Sequence, residues 1–286
     1  MAEQAGWLVR GVDDRQVVRV IGVDVTESAS RVRRLHQLQP AAARFAAEGC
    51  AATALLSAHI KGEEQLSLQV QSERPRFAFT GDTDAEGGMR ARLSPAGAPD
   101  SQGGRLVGML LAMKSDRTRE VYRGVTELRR QTLEQGLAEH LLRSSQVDCM
   151  LRLHVEQGSD GAVLWAGGFY VERLPPHEVH GHVSPEQFQA RFGPLLQRDP
   201  AEVVIELRAG LLGEGRFAIL DERDIFWRCR CGREKVEGML YGLDLKMLRA
   251  MLVEDRGASI QCHFCNEEYV VPEQRLAEIV ADIEGH

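Results

Sequence analysis

Two cysteine pairs constrain this chain more than any other feature. Cys229-Arg230-Cys231 is followed, thirty residues further on, by Cys262-His263-Phe264-Cys265. Two close thiol pairs separated by a foldable spacer supply what a tetrahedral four-sulfur zinc site requires. Four thiolates close the coordination sphere and leave no position for water or substrate, so such a site staples a fold and does not catalyse. The same four sulfurs can instead oxidise to two local disulfides and eject the metal. Spacing leaves permanent structural zinc and a thiol switch both open.

The surroundings of the pairs sharpen the question. From Ile225 to the end there are about sixty residues, a size at which an apolar core alone is marginal. Asp244 caps an expected helix with Leu245, Leu248 and Leu252 on one face, and Pro272 opens another with Leu276, Ile279 and Ile283. Bound metal would supply much of this segment's folding free energy. Arg228, Arg230, Arg233 and Lys235 flank the first pair. They either lower thiol pKa values, raising the oxidisable thiolate fraction, or form a solvated basic edge.

The preceding residues read as an α+β domain, with strands and helices mixed without a regular βαβ rhythm. Strands are expected over residues 16–23, at Leu66, Leu68 and Val70, at Phe77 and Phe79, over 106–113, at Leu151, Leu153 and Val155, and over 163–171. Thr26 is expected to cap a helix carrying Val32 and Leu35, and Pro40 to open an alanine-rich one through Phe45, Cys50 and Leu55. Leu133, Leu137, Leu141 and Leu142 mark a third helical face. The acidic, glycine-rich stretch 81–88 has neither a Walker lysine nor an EF-hand ligand series, and reads as a turn. Cys50 and Cys149 sit in apolar patterns as small core residues.

After Leu174-Pro175-Pro176 the character changes. Ser184-Pro185-Glu186-Gln187 is a helix start with a capping box, and Phe188, Phe192 and Leu195 share the face behind it. Asp199-Pro200 opens a second helix with Val203, Val204, Leu207 and Leu211. Both pieces are too short to stand alone in water and need a surface to cover. His177, His180 and His182 read as incidental linker residues, because no carboxylate or cysteine completes a metal set. Three parts follow: a 1–176 α+β core, a 177–224 helical linker and a 225–286 cysteine domain.

Several functions are argued against. A net charge of −7 disfavours phosphate binding, which needs a basic face, so no nucleic-acid partner is expected. No apolar run approaches a membrane span, and the start lacks a basic region followed by an apolar one. Six cysteines in a chain with no targeting segment in view then suggest a reducing compartment, the cytoplasm. Neither Gly-x-Ser-x-Gly, His-Glu-x-x-His nor a strand-to-helix Gly-x-Gly-x-x-Gly occurs, so nothing nominates an enzyme.

Phe226-Trp227-Arg228-Cys229-Arg230-Cys231-Gly232-Arg233-Glu234, with Cys262-His263-Phe264-Cys265 and Tyr269, resembles the 33 kDa heat-shock proteins, the redox-regulated holdase chaperones. Val121-Tyr122-Arg123-Gly124, Arg143-Ser144-Ser145-Gln146 and Ala166-Gly167-Gly168-Phe169 extend the resemblance over essentially the whole chain. It implies an ATP-independent chaperone, inactive while reduced and holding one Zn2+ on Cys229, Cys231, Cys262 and Cys265. Peroxide with unfolding stress, or hypochlorous acid, would pair Cys229 with Cys231 and Cys262 with Cys265 and release the metal. The small domain would then unfold and free apolar surface, for which Phe188, Phe192, Val203, Val204 and Leu207 are the candidates, to hold unfolding clients. Active members commonly form homodimers. Three positions depart from the family pattern: Gly232, Ser145 and Glu172, the last two changing charge where the core meets the linker. A constitutive zinc-stabilised interaction module without a switch is the alternative.

Overall fold

The computed structural model describes residues 5–95, 105–116, 119–146, 148–175, 182–213 and 215–284. The chain divides into two compact units, Met1–Arg228 and Cys229–His286. In the first, mostly apolar runs buried on both faces build β1 (Gly6–Asp13) and β2 (Val18–Asp24), followed by α1 (Thr26–His36) and α2 (Pro40–Leu56). Then come β3 (Gln65–Arg74), β4 (Arg76–Asp84), β5 (Gly88–Ser94), β6 (Leu106–Ser115), β7 (Glu120–Gln131), α3 (Leu133–Ser145), β8 (Cys149–Gln157) and β9 (Val163–Arg173). Two short helices, α4 (Pro185–Phe192) and α5 (Pro200–Arg208), precede β10 (Leu211–Leu212) and the long β11 (Gly215–Trp227).

The strands form one sheet in the order β7-β6-β3-β4-β5-β11-β1-β2-β9-β8, with β10 paired to β11 alone. It is two antiparallel halves joined by a short parallel bridge, where Phe226 and Trp227 of β11 meet Gly88 and Met89 of β5. Helix α2 fills one side of this sheet. Thirteen of its seventeen residues are buried, which marks a central helix and not an amphipathic surface one. Alanine makes that possible, because small side chains let α2 approach the strands closely.

On the opposite side, α4 and α5 cover a second apolar cluster. Phe188, Phe192, Leu195, Val203, Val204 and Leu207 pack there with Val18, Val20, Phe169, Val171 and Phe217 of the sheet. Both helices start as their sequences dictate. Ser184 and Gln187 form a reciprocal capping box, and the Asp199 carboxylate accepts the Ala201 N–H.

Several expectations are corrected. The span 177–224 is not helical throughout: β10 and β11 occupy its end, and β11 pairs with β1 from Gly6 opposite Ile225 to Asp13 opposite Phe217. Its Asp221-Glu222-Arg223-Asp224 run conceals a strand in which Asp221 pairs with Arg10, Glu222 with Arg208, and Arg223 donates to the Ser57 and Ala85 carbonyls. Ile225 consequently belongs to the first unit. Residues 81–84 continue β4, and only Ala85, Glu86 and Gly87 make the turn into β5. Gln16 is a left-handed turn residue ahead of β2. Asp24, not Thr26, accepts the exposed N–H at the start of α1. Leu142 is 55% exposed, rotated away from the Leu133, Leu137 and Leu141 face. Cys50 is buried in the α2 core, and Cys149 packs against it partly buried.

The second unit holds α6 (Arg233–Leu240), α7 (Leu245–Ala250), a π turn (Met251–Asp255), the hairpin β12 (Gly257–Gln261) and β13 (Glu268–Pro272), and α8 (Glu273–Glu284). Asp244 caps α7 as expected. Pro272 ends β13, one residue before α8 begins. The core is small: Leu240, Leu248, Val271, Leu276, Ile279 and Val280. Beside it opens an apolar groove of about 610 Å³ lined by Met239, Leu243, Met251 and Ile260.

Candidate metal centre

The two cysteine pairs meet at one point of the second unit. Cys229 and Cys231 lie on the extended segment before α6, and Cys262 and Cys265 on the turn between β12 and β13. The hairpin builds that turn tightly. Cys262 N–H donates to Glu267 O at 2.8 Å, Asn266 N–H donates to Cys262 O at 2.9 Å, and Asn266 adopts the left-handed conformation that closes it.

All four sulfurs lie within 4.8 Å of one another. Cys229 and Cys262 Sγ are 3.6 Å apart, and Cys231 and Cys265 Sγ 3.3 Å. A four-sulfur zinc site with bonds of about 2.3 Å has edges of about 3.8 Å, so the donor set fits an ion of that kind. Among the described residues, the four cysteines therefore form a cluster that could hold a metal ion.

The backbone also prepares the site for anionic sulfur. Burial pushes the Cys262 thiol up, but the N–H groups of Cys265 and Phe264 and the neighbouring thiols outweigh it and bring it down to about 7. Burial dominates at Cys229 and Cys265, and both thiols are raised. Holding four sulfurs this close without a cation is thus unfavourable for the thiolate form, and a central divalent ion reverses that balance. Tyr269 Oη donates to Cys231 Sγ at 3.1 Å, a contact the sequence offered only as a nearby aromatic.

The flanking cations do less here than their proximity suggested. Arg228 is bound to Asp84 and Glu86 in the first unit. Arg233 reaches the Val270 carbonyl and Glu237, and Lys235 the Arg230 carbonyl. Backbone N–H groups, and not these side chains, lower the Cys262 thiol. At Gly232 the backbone is extended, and a Cβ there would meet nothing within 4 Å. That departure leaves the centre sterically untouched.

The other expected positions are placed as follows. Phe188, Phe192, Val203, Val204 and Leu207 come together in the covered cluster, none more than 3% exposed. Glu172 is buried and ion-paired with its cross-strand neighbour Arg19. Strand alternation puts it on the Tyr170 side of the sheet, away from α4 and α5, which rest on the Phe169 and Val171 side. Its charge therefore does not touch the α4–α5 contact. His177 and His180 lie outside the described residues, as does the side chain of Ser145. His182 is exposed.

A large α+β sheet unit and a small unit that gathers four thiols define a class: a two-part protein whose small part carries a four-cysteine cluster. The Hsp33 protein family model matches residues 7–272, and the chain belongs to that family. A protein of Symbiobacterium thermophilum named 33 kDa chaperonin is 30% identical, over 96% of this chain and 97% of its own length. The 33 kDa chaperonin of Bacillus subtilis is 28% identical over 94% and 96%. The crystal structure of the Thermotoga maritima 33 kDa chaperonin, 21% identical, superposes with a TM-score of 0.80 over 99% of this chain and 100% of that one, so it shares the fold. The protein is accordingly of a chaperone family. No described helix is long and apolar enough to cross a membrane.

Proposed function

We propose that this chain is a redox-switched, ATP-independent holdase of the cytoplasm. Cys229, Cys231, Cys262 and Cys265 hold one zinc ion while reduced, and the bound ion supplies the cross-link that keeps residues 229–284 folded. The carrying observation is the convergence of all four sulfurs within 4.8 Å in a unit with so small a core. Oxidation takes two electrons from each pair of thiolates to form one disulfide; one peroxide per pair accepts them and, with two protons from solvent, leaves as two waters, and the ion, without its thiolate donors, would be released. Cys229–Cys231 and Cys262–Cys265 are the proposed disulfides, the pairing that the family resemblance implies.

The covered cluster gives the switch something to release. Phe188, Phe192, Val203, Val204 and Leu207 form an apolar face that is buried in the reduced protein. Its exposure would hold unfolding client proteins and favour a homodimer of the oxidised form. In domain terms, β1–β9 act as the chaperone core, α4 and α5 as the releasable cover and the unit Cys229–His286 as the sensor. No catalytic step enters.

The test measures bound zinc, free thiols and suppression of a denaturing client's light scattering, before and after peroxide at elevated temperature. Loss of zinc and of four thiols with gain of client protection is the expected result. Zinc retained with no gain would leave a constitutive zinc-stabilised interaction module.

A further inference from the structure

The acidic, glycine-rich turn after β4 grips the end of β11. Asp84 Oδ1 accepts the N–H groups of Glu86 at 3.1 Å and Gly88 at 3.0 Å, which shapes the turn. Its other oxygen lies 2.6 Å from Arg228 Nη2, and Glu86 Oε2 lies 2.6 Å from Arg228 Nη1. The guanidinium sits 5.4 Å from the Phe226 ring centroid. Backbone bonds reinforce the grip: Phe226 N–H donates to Gly87 O at 3.1 Å and Arg228 N–H to Met89 O at 2.8 Å. Arg223, further back on β11, donates to the Ala85 carbonyl at 2.9 Å. The glycines make this approach possible. Gly87 has φ +91°, and a Cβ on it would lie 1.9 Å from the Asp224 carbonyl oxygen; one on Gly88 would lie 2.3 Å from Arg228 Nε.

Arg228 is the residue before the first cysteine. From there β11 runs back along β1 to Phe217, whose ring lies 6.5 Å from that of Phe192 in the covered cluster. One strand thus links the cysteine end of the first unit to the α4–α5 cover. A chain end that loosens at Cys229 must break the Arg228 fork before it can peel β11 from β1.

We propose that Asp84, Glu86 and Arg228 form an end-stop that limits how far loss of structure starting at Cys229 travels along β11, and so sets the threshold for uncovering the α4–α5 face. The threshold rests on the switch reading above; the end-stop itself does not.

The test uses the full reduced, zinc-loaded chain and its Glu86→Gln, Arg228→Lys and Arg228→Gln variants. Zinc content is measured first, and then hydrogen–deuterium exchange across 215–228, before and after a chelator strips the metal. In the wild type, residues 215–221 are expected to stay protected after stripping. Exchange there should quicken about two- to fivefold in Glu86→Gln, the size expected of one exposed ion pair, and about tenfold or more in Arg228→Gln, with Arg228→Lys between. The peroxide dose for half-maximal client protection should fall in the same order. Glu86 is remote in sequence from the cysteines, so its variant keeps the test valid if Arg228→Gln binds zinc poorly. Wild-type exchange in both Glu86→Gln and Arg228→Gln after stripping overturns the end-stop. An oxidised wild type that gains no client protection removes the switch reading instead, and the exchange order then decides the end-stop alone.

Discussion

His140 is a buried base and His59 a half-buried one, and the surroundings of each keep it neutral. His140 Nδ1 lies 3.0 Å from Thr126 Oγ1, and His59 Nε2 2.6 Å from Tyr170 Oη. Burial lowers both to about 4, helped at His59 by Arg19, Lys114, Arg10 and Lys61. A depressed folded pKa means that the stabilisation is whole above the unfolded value of 6.5 and is lost as pH falls from there towards 4. His140, at 2% exposure, should account for about 2 kcal/mol of lost stability between pH 7 and pH 5. Urea unfolding at the two pH values checks this: His140→Asn puts an amide group near the Nδ1 position, able to accept from or donate to Thr126, but cannot titrate, so its pH difference should shrink by about that amount. An unchanged difference would mean that His140 is protonated without cost. At the four-cysteine cluster, replacing any one of the cysteines by serine should weaken zinc binding by at least about tenfold, read by competition with a chromogenic chelator, because a water must then take the place of one thiolate.

At the scale of elements, α4 and α5 are held by side chains more than by their own helicity, being eight and nine residues long. Leu207→Ala should therefore cost about 2–5 kcal/mol, felt first as faster amide exchange over 185–208. Val204→Asp places a charge at a 1% exposed site and should free the helices in reduced protein that still holds its metal. Dye binding and client protection without oxidant would report it, and a closed, inactive Val204→Asp protein would remove this face from the client surface. These helices were legible because capping residues and apolar spacing lie within a dozen positions of one another. Helix α2 was legible from Pro40 and its alanines, though not its central place, which depends on strands on both sides. β11 and β7 were hidden because their sequences are rich in charge, and pairing with β1 and β6 supplies what local propensity does not. The four-cysteine cluster was readable since the members of each pair lie within three positions of one another. The Arg228 fork was not, since Glu86 and Arg228 are 142 positions apart and only the fold brings them together.

For the whole molecule, the two units differ in what holds them. The first has two extensive clusters on opposite sides of a ten-strand path. Among the described residues, the second has a core cluster of six buried apolar residues beside an open groove, too small to carry about sixty residues unaided. Stability should then be uneven along the chain, and metal should decide the weaker part. Stripping zinc from the reduced protein is expected to melt α6, α7 and α8 and leave β1–β11 folded. Circular dichroism should show a partial loss of helix, and trypsin should cut between Arg230 and Arg275 before it cuts the sheet. Two thermal transitions should replace the holoprotein's profile, the lower one returning upward when zinc is restored. A chelated protein that keeps its spectrum and its resistance to trypsin would show that the small core suffices, and metal loss could not then be the event that unfolds the unit.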